Sequence, residues 1–209
     1  TFSTSYTWSK ALSDTGVGSG NFENPEDPFN RRFNYGPANF DRRHILVNTY
    51  TYRLVLFRKS SRWVRNAFSG WEATGITRWQ TGQYLTPTGN TSIGNRRADY
   101  VGGEINQQGS DRLLEYFNKA AFAITPNARR GTAGIGMIQG PGRFFTDLSL
   151  RKRFLVTERV NLQFQADMFN AFNQVLLNNP STNLSDVGYG TINGTAPARN
   201  IQLGMRLTF

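Results

Sequence analysis

The single histidine, His44, follows Asp41, Arg42 and Arg43 in the stretch FDRRHILVNTY. An imidazole near a carboxylate in a hydroxyl-rich chain could serve a Ser-His-Asp relay. That chemistry needs a nucleophile on a strained strand-to-helix turn, and no Gly-x-Ser-x-Gly occurs. Asp41, Arg42, Arg43 and His44 read instead as a polar rim network where a loop enters a strand. In GTAGIGMIQGPG, Gly134, Gly136 and Gly140 miss the spacing of a dinucleotide fingerprint, and a strand rather than a helix follows. Loop flexibility and tight turns account for them. Glu23, Glu26, Asp27 and Asp41 lack the alternating-oxygen order of a calcium loop. Zero cysteines exclude disulfides and thiolate metal sites. The expectation is a protein with no catalytic residue, no cofactor and no metal, and therefore not an enzyme.

A formal net charge of +10 makes nucleic acid the first partner to weigh. Such binding needs a clustered basic patch with aromatics on one sheet face. The basic residues instead fall in scattered pairs, Arg31/Arg32, Arg42/Arg43, Arg58/Lys59, Arg96/Arg97 and Arg129/Arg130, plus the triplet Arg151 to Arg153. No nucleic-acid partner is expected, and a soluble basic β protein that binds nucleic acid is the weakest of the readings weighed.

The elements that must position these residues show a two-residue period. In TFSTSYTWSK, Phe2, Tyr6 and Trp8 share one face with Thr4, opposite Ser3, Ser5, Thr7 and Ser9. In HILVNTYTYRLVLF, Leu46, Tyr50, Tyr52, Leu54 and Leu56 oppose Thr49, Thr51 and Arg53, with Val47 and Val55 blurring the pattern. Trp71, Ala73, Gly75, Thr77 and Trp79 alternate with Glu72, Thr74, Ile76, Arg78 and Gln80, where Ile76 falls among the polar set. The segments FFTDLSLRKRF and RVNLQFQADMFNAF follow, joined by the tight turn LVTE, and the second is the clearest alternation in the chain. Ile201, Leu203, Met205, Leu207 and Phe209 then alternate with Asn200, Gln202, Gly204, Arg206 and Thr208. Six antiparallel strands are predicted, near 1–12, 44–57, 69–82, 143–155, 159–172 and 198–209, in sequential up-and-down order. Between them, residues 84–142 offer no strand of membrane length and one helical turn or two at SDRLLEYFNK. There Ser110 could cap and Leu113, Leu114 and Phe117 could pack.

The connections run long, short, long, short, long. A soluble sandwich has no reason for that rhythm, whereas an outer-membrane barrel has short periplasmic turns and long extracellular loops. Trp8, Trp71, Trp79, Phe154, Phe172 and Phe209 lie near strand ends, where interfacial aromatics sit. The expected fold is therefore all-β, an antiparallel up-and-down transmembrane barrel segment of about six strands. Phe209 then faces lipid at the periplasmic rim. On the lumen side the alternation places Arg53, Glu72, Arg78, Gln80, Asp147, Arg151, Gln163, Gln165, Asp167 and Arg206. A lipid-facing charge at mid-depth costs about 2–4 kcal/mol, so these read as solvated wall residues joined in salt bridges and amide ladders. Lys152 has lipid-facing parity but lies close to the periplasmic end, where it is expected to snorkel.

The closing segment, through Gln202, Gly204, Leu207 and Phe209, resembles the outer-membrane barrel-assembly signal. The phrases YTWSKALSD, FDRRHILVNTY, GWEATGITRWQTGQYLT, YFNKAAFA, GPGRFFTDLSLRKRF and LQFQADMFNAFN resemble the C-terminal barrel of TonB-dependent receptors. Their order is most similar to the Oar-like branch, which carries an N-terminal carboxypeptidase-regulatory-like domain. The resemblance implies a bacterial outer-membrane location, a barrel of 22 strands around a plug, and energy delivered by the TonB complex. It implies uptake of a bulky nutrient of unspecified identity, with outer-membrane lipid and the barrel-assembly machinery as further partners. The TonB complex would be engaged through N-terminal regions that this sequence lacks. Residues 1–209 are accordingly expected to be the C-terminal part of one barrel domain, a fragment without plug or N-terminal domains. The alternative is a barrel of the same architecture used for adhesion or surface signalling.

Overall fold

The computed structural model describes residues 1–14, 27, 29–54, 61, 64, 68–92, 94–106, 109–127, 129–157 and 160–209. Six strands form one antiparallel sheet: β1 (Phe2–Trp8), β2 (His44–Leu54), β3 (Trp71–Gln80), β4 (Arg143–Leu155), β5 (Asn161–Phe169) and β6 (Asn200–Thr208). Each strand lies beside its predecessor, and the register of every pair advances one residue for one. Six segments with a clean two-residue alternation each select one register, because a slip by one would exchange the two faces.

The observed strands are shorter than expected at their loop ends, for local reasons. After Trp8 the chain keeps one sheet bond, Ser9 N to Arg43 O at 3.1 Å. It then turns out to pair Leu12–Ser13 with Gly36–Pro37. β5 stops at Phe169 because Asn170 and Asn173 adopt left-handed backbone, with φ of 50° and 52°, a region Asn tolerates better than most residues. Val55 and the predicted strand residues up to 57 lie outside the described residues.

Gly75 sits where the ring of Tyr50 crosses to it from β2. A Cβ at position 75 would lie 2.5 Å from Tyr50 ring carbons, so the sheet needs glycine there to hold this ring flat against it. The connections 55–70 and 156–160 leave one end of the sheet, while 9–43, 81–142 and 170–199 all leave the other. The shortest closes through Val156 N to Val160 O at 2.9 Å, the tight turn expected of it.

The hydrophobic core lies in the loops, not under the sheet. Ala98, Tyr116, Phe117, Ala121, Phe122, Ala133, Ile138 and Ile192 form it, flanked by Leu85, Ile105, Met137, Leu177, Leu184 and Tyr189. Small ladders frame this core: Tyr84–Leu85 with Ile138–Gln139, Thr88–Thr91 with Gly94–Arg97, and Asp99–Tyr100 with Phe122–Ala123. None approaches membrane length.

Two expectations for this region are corrected. One helical turn forms at SDRLLEYFNK, as expected, but its cap and its packing differ. A single turn closes on Asp111, whose carbonyl accepts from Glu115 N at 2.9 Å and whose Oδ1, rather than Ser110, caps Leu113 N at 2.8 Å. Leu113 and Leu114 are exposed, and only Phe117 is buried. The chain is drawn away from helix by outside partners, since Tyr116 N donates to Gly190 O and Asn118 N to Ile105 O. The glycine-rich stretch 131–142 is likewise a packed element rather than a flexible one. Ile138 is fully buried, and Gly82 has no room for a side chain because the backbone of Gly140 lies against it.

Candidate functional site: a two-faced wall and its loop cap

Residues paired across neighbouring strands point to the same side, so the register sorts the sheet into two faces. One face carries Phe2, Tyr6, Trp8, Leu46, Tyr52, Trp71, Trp79, Phe144, Leu148, Leu150, Phe164, Met168 and the whole odd series from Ile201 to Phe209. In water this face would be anomalous: Leu203 is 71% exposed, Met205 74% and Phe209 93%. An apolar solvent removes the anomaly.

Polar side chains on that face pair among themselves, as groups must where no water can satisfy them. Thr4 Oγ1 donates to Asn48 Oδ1 at 2.9 Å, and Thr77 and Thr146 share a hydroxyl bond at 3.0 Å. Tyr6 OH and His44 Nδ1 lie 2.7 Å apart, with the imidazole stacked between Tyr6 and Trp79. Five of the six expected girdle aromatics lie on this face near strand ends, Trp8 and Trp79 at the loop end and Trp71, Phe154 and Phe209 at the other. Phe172 lies in the connection after β5, exposed.

Lys152 has the expected parity but does not snorkel. Its side chain is 1% exposed, Nζ donates to Ser69 O at 2.6 Å, and the rings of Trp71 and Phe154 cover it at 5.3 and 4.9 Å. The Ser69 carbonyl lies within reach in the adjoining connection, so the ammonium folds onto it under the two aromatic rings.

The opposite face gathers the predicted wall residues. Arg53, Glu72, Arg151 and Gln165 fall in one row across four strands, and Gln163 pairs with Arg206 in the next. Arg53 Nε donates to Glu72 Oε2 at 2.8 Å, and Arg151 approaches the same carboxylate at 3.9 Å. Asp167 accepts from Ser149 Oγ at 2.6 Å and Gln165 Nε2 at 2.8 Å, and Asp147 accepts from Asn170 N at 2.8 Å. Arg78 pairs with Val47 and Phe145, and Gln80 with Ile45 and Arg143. Ile76, the apolar residue among the polar set, is indeed on this face and 47% exposed.

Of the residues resembling an assembly signal, Gln202 and Gly204 lie on the polar face, and Leu207 and Phe209 on the apolar one. No atom stands within 4 Å of where a Gly204 side chain would begin. The bare backbone helps shape a shallow trough of about 340 Å³ whose lining includes Gln163, Gln165, Asp167, Gln202 and Arg206.

At the loop end Asp41, Arg42 and Arg43 form a network, whereas the His44 side chain leaves it for Tyr6 and Trp79 on the apolar face. Asp41 is buried and accepts from Ala11 N at 3.1 Å. Arg42 donates to Asn39 O, Asp41 O and Gln83 Oε1, and Arg43 to Tyr84 OH. Burial lowers the Arg42 pKa from its usual value. Glu23 and Glu26 lie outside the described residues, and among those described no group of three or more acids and histidines could hold a metal.

The three long connections then close over one another. Arg130 donates to Asp27 at 2.7 Å, joining the first to the second. Arg97 and Arg130 stack on Phe33, at 3.8 and 5.9 Å from its centroid. Arg129 clamps Asp99 through two bonds of 2.7 and 2.6 Å, which with Thr132 N holds that carboxyl below its ordinary range. Burial pushes the Tyr116 and Tyr189 hydroxyls upward. Thr88 N to Thr182 O and Leu184 N to Thr88 O join the second connection to the third.

The asparagines of FNAFN were not singled out in the sequence, yet they anchor the third connection. Asn170 exchanges both side-chain bonds with the Gln174 backbone, and Asn173 Oδ1 accepts from Arg199 N. Two Asn three apart at a strand end are the turn signal that could have located them.

No curated protein and no solved structure matches the chain at a significant level. A family model described as the outer membrane beta barrel domain matches residues 1–202. A strip of antiparallel strands with one face built for lipid, one for water, and all long connections at one end is the wall such a domain requires. The chain therefore belongs to the outer membrane beta barrel domain family and is a barrel protein of the bacterial outer membrane.

Proposed function

We propose that this wall belongs to a TonB-dependent receptor of the Oar-like branch, which takes up a bulky nutrient and performs no covalent chemistry. The observation that carries this reading is the loop cap: the second and third long connections share one core at a single end of the sheet, and the first is tied to it through Asp27 and Phe33. A pore that merely passes small solutes has no need of so much packed surface at its mouth, whereas capture of a large ligand does. The ordered phrases from YTWSKALSD to LQFQADMFNAFN support the branch.

Among the described residues β1 and β6 each have an edge without a strand beside it. Lipid offers such edges no hydrogen bonds, so the reading includes further strands that close the barrel around a plug. Its partners are outer-membrane lipid, the barrel-assembly machinery, the TonB complex and an external ligand. The test compares strains lacking the full-length receptor, lacking TonB, or lacking both, for growth on complex polymers as sole nutrient. Uptake predicts that both single deletions lose growth on the same substrate and that the double deletion adds nothing. A receptor-dependent attachment phenotype that persists without TonB, with no growth defect, would favour adhesion instead.

A further inference from the structure

The polar face carries six arginines, Arg53, Arg78, Arg143, Arg151, Arg153 and Arg206, against three carboxylates, Glu72, Asp147 and Asp167. The imbalance is concentrated. Asp147 and Asp167 accept from Asn170 N and from Ser149 and Gln165 respectively. Toward the short connections, Glu72 shares its row with Arg53 and Arg151, while the next row carries Arg153 and Arg206 and no carboxylate. Arg53 and Arg151 share that carboxylate, yet their side chains remain 79% and 47% exposed. Arg153 pairs with Gln163, which pairs with Arg206, and both arginines are exposed. With strands about 4.8 Å apart and alternate residues about 7 Å apart, the four guanidiniums fall within roughly 20 by 10 Å. The trough over β5 and β6 opens beside them.

A wall needing only to be wetted is best served by mixed charges or amides, because like charges on neighbouring strands repel. A surplus of forked donors on a water-facing wall is matched instead to oxyanions. We propose that Arg53, Arg151, Arg153 and Arg206 form a binding field for a ligand with two or more carboxylate or phosphate groups, which makes the transported solute an oligo-anion. This rests on the proposed receptor reading, in which the polar face lines the passage that the solute crosses when the plug is displaced.

The probe is sodium tripolyphosphate, titrated calorimetrically into the purified full-length receptor at low and at high salt. Binding is expected, weakening as salt rises. The double variant Arg151→Gln/Arg206→Gln should bind about tenfold or more weakly, since each charge-assisted pair is worth of order one decade. Arg78→Gln, on the same face but nearer the loops, should bind like the parent. Heat-modifiability on gels verifies that each variant is folded. A folded parent that does not bind, or a double variant that binds equally, overturns the proposal. So does a parent that is blind to the probe while the double variant melts earlier, for the arginines would then be held by an acidic segment of the receptor itself. Failure of the receptor reading is seen separately, as growth independent of TonB.

Discussion

Leu203 and Gln202 are chain neighbours on opposite faces at the middle of β6, and arginine at each position separates a membrane wall from a soluble sheet. Leu203 pairs with Ala166 on the apolar face, and Gln202 pairs with Asp167 on the polar one. Because Leu203 is 71% exposed, Leu203→Arg in water would shift stability by no more than about 0.5 kcal/mol. In a bilayer the same guanidinium meets hydrocarbon near mid-depth, at about 2–4 kcal/mol. That is a factor of roughly 30 to 1,000 in the folding equilibrium. Gln202→Arg sets its charge beside the Asp167 carboxylate in water and should change stability by less than about 1 kcal/mol. The assay is denaturant unfolding of the full-length protein in phosphatidylcholine vesicles, alongside the amount of heat-modifiable protein in outer membranes. Equal costs for the two variants, or a Leu203→Arg penalty below about 0.5 kcal/mol, would refute the assignment of faces.

Three further outcomes are expected. Phe209→Asp should abolish assembly of the full-length protein into the outer membrane while Phe209→Tyr is tolerated; one buried ring is worth only about 2–3 kcal/mol, so a severe loss points to recognition during assembly, and equal amounts of both variants would sink that account. Gly75→Ala should cost about 1–3 kcal/mol by forcing a Cβ against the Tyr50 ring. The cost should shrink in a Tyr50→Ala background, and an unchanged cost in the double variant would show that the contact is not its source. Asp99 has a lowered pKa in the folded cap, so its contribution is complete above the unfolded value of about 3.9 and is lost as pH falls through the lower folded value. Amide exchange at Tyr100 and Thr132, whose N–H groups bond to Thr132 Oγ1 and Asp99 Oδ1, should therefore quicken below about pH 4, and Asp99→Asn should remove that acid dependence.

The strands were legible because each face meets a different solvent, so a two-residue alternation survives along every one of them, and the differences are confined to a few residues at strand ends. The wall residues followed from the same parity, which is why Arg53, Glu72, Arg151 and Gln165 fall in one row. The cap was not legible. Its core joins Ala98, Phe117, Ile138 and Ile192, drawn from segments with no period, and irregular backbone leaves no pattern for a sequence to display. SDRLLEYFNK keeps a single helical turn, and long-range bonds to Gly190 and Ile105 and burial of Phe117 stop it there against local propensity. For Lys152 parity identified the face but not the fate, which depends on a carbonyl 83 residues away in sequence.

The unbroken one-for-one register also constrains how this protein can change over generations. Inserting or deleting one residue within any of the six strands would transpose lipid and water sides for the remainder of that strand, an error no neighbouring substitution repairs. Length changes inside the wall should therefore survive only in pairs, or as whole hairpins. The short connections at the far end can gain or lose residues singly. The long ones are free in principle, but the core shared by 81–142 and 170–199 restrains those two wherever it is touched. Descendants of this gene should diverge in ligand by lengthening the outer parts of 9–43, 81–142 and 170–199, while the strand lengths stay in step.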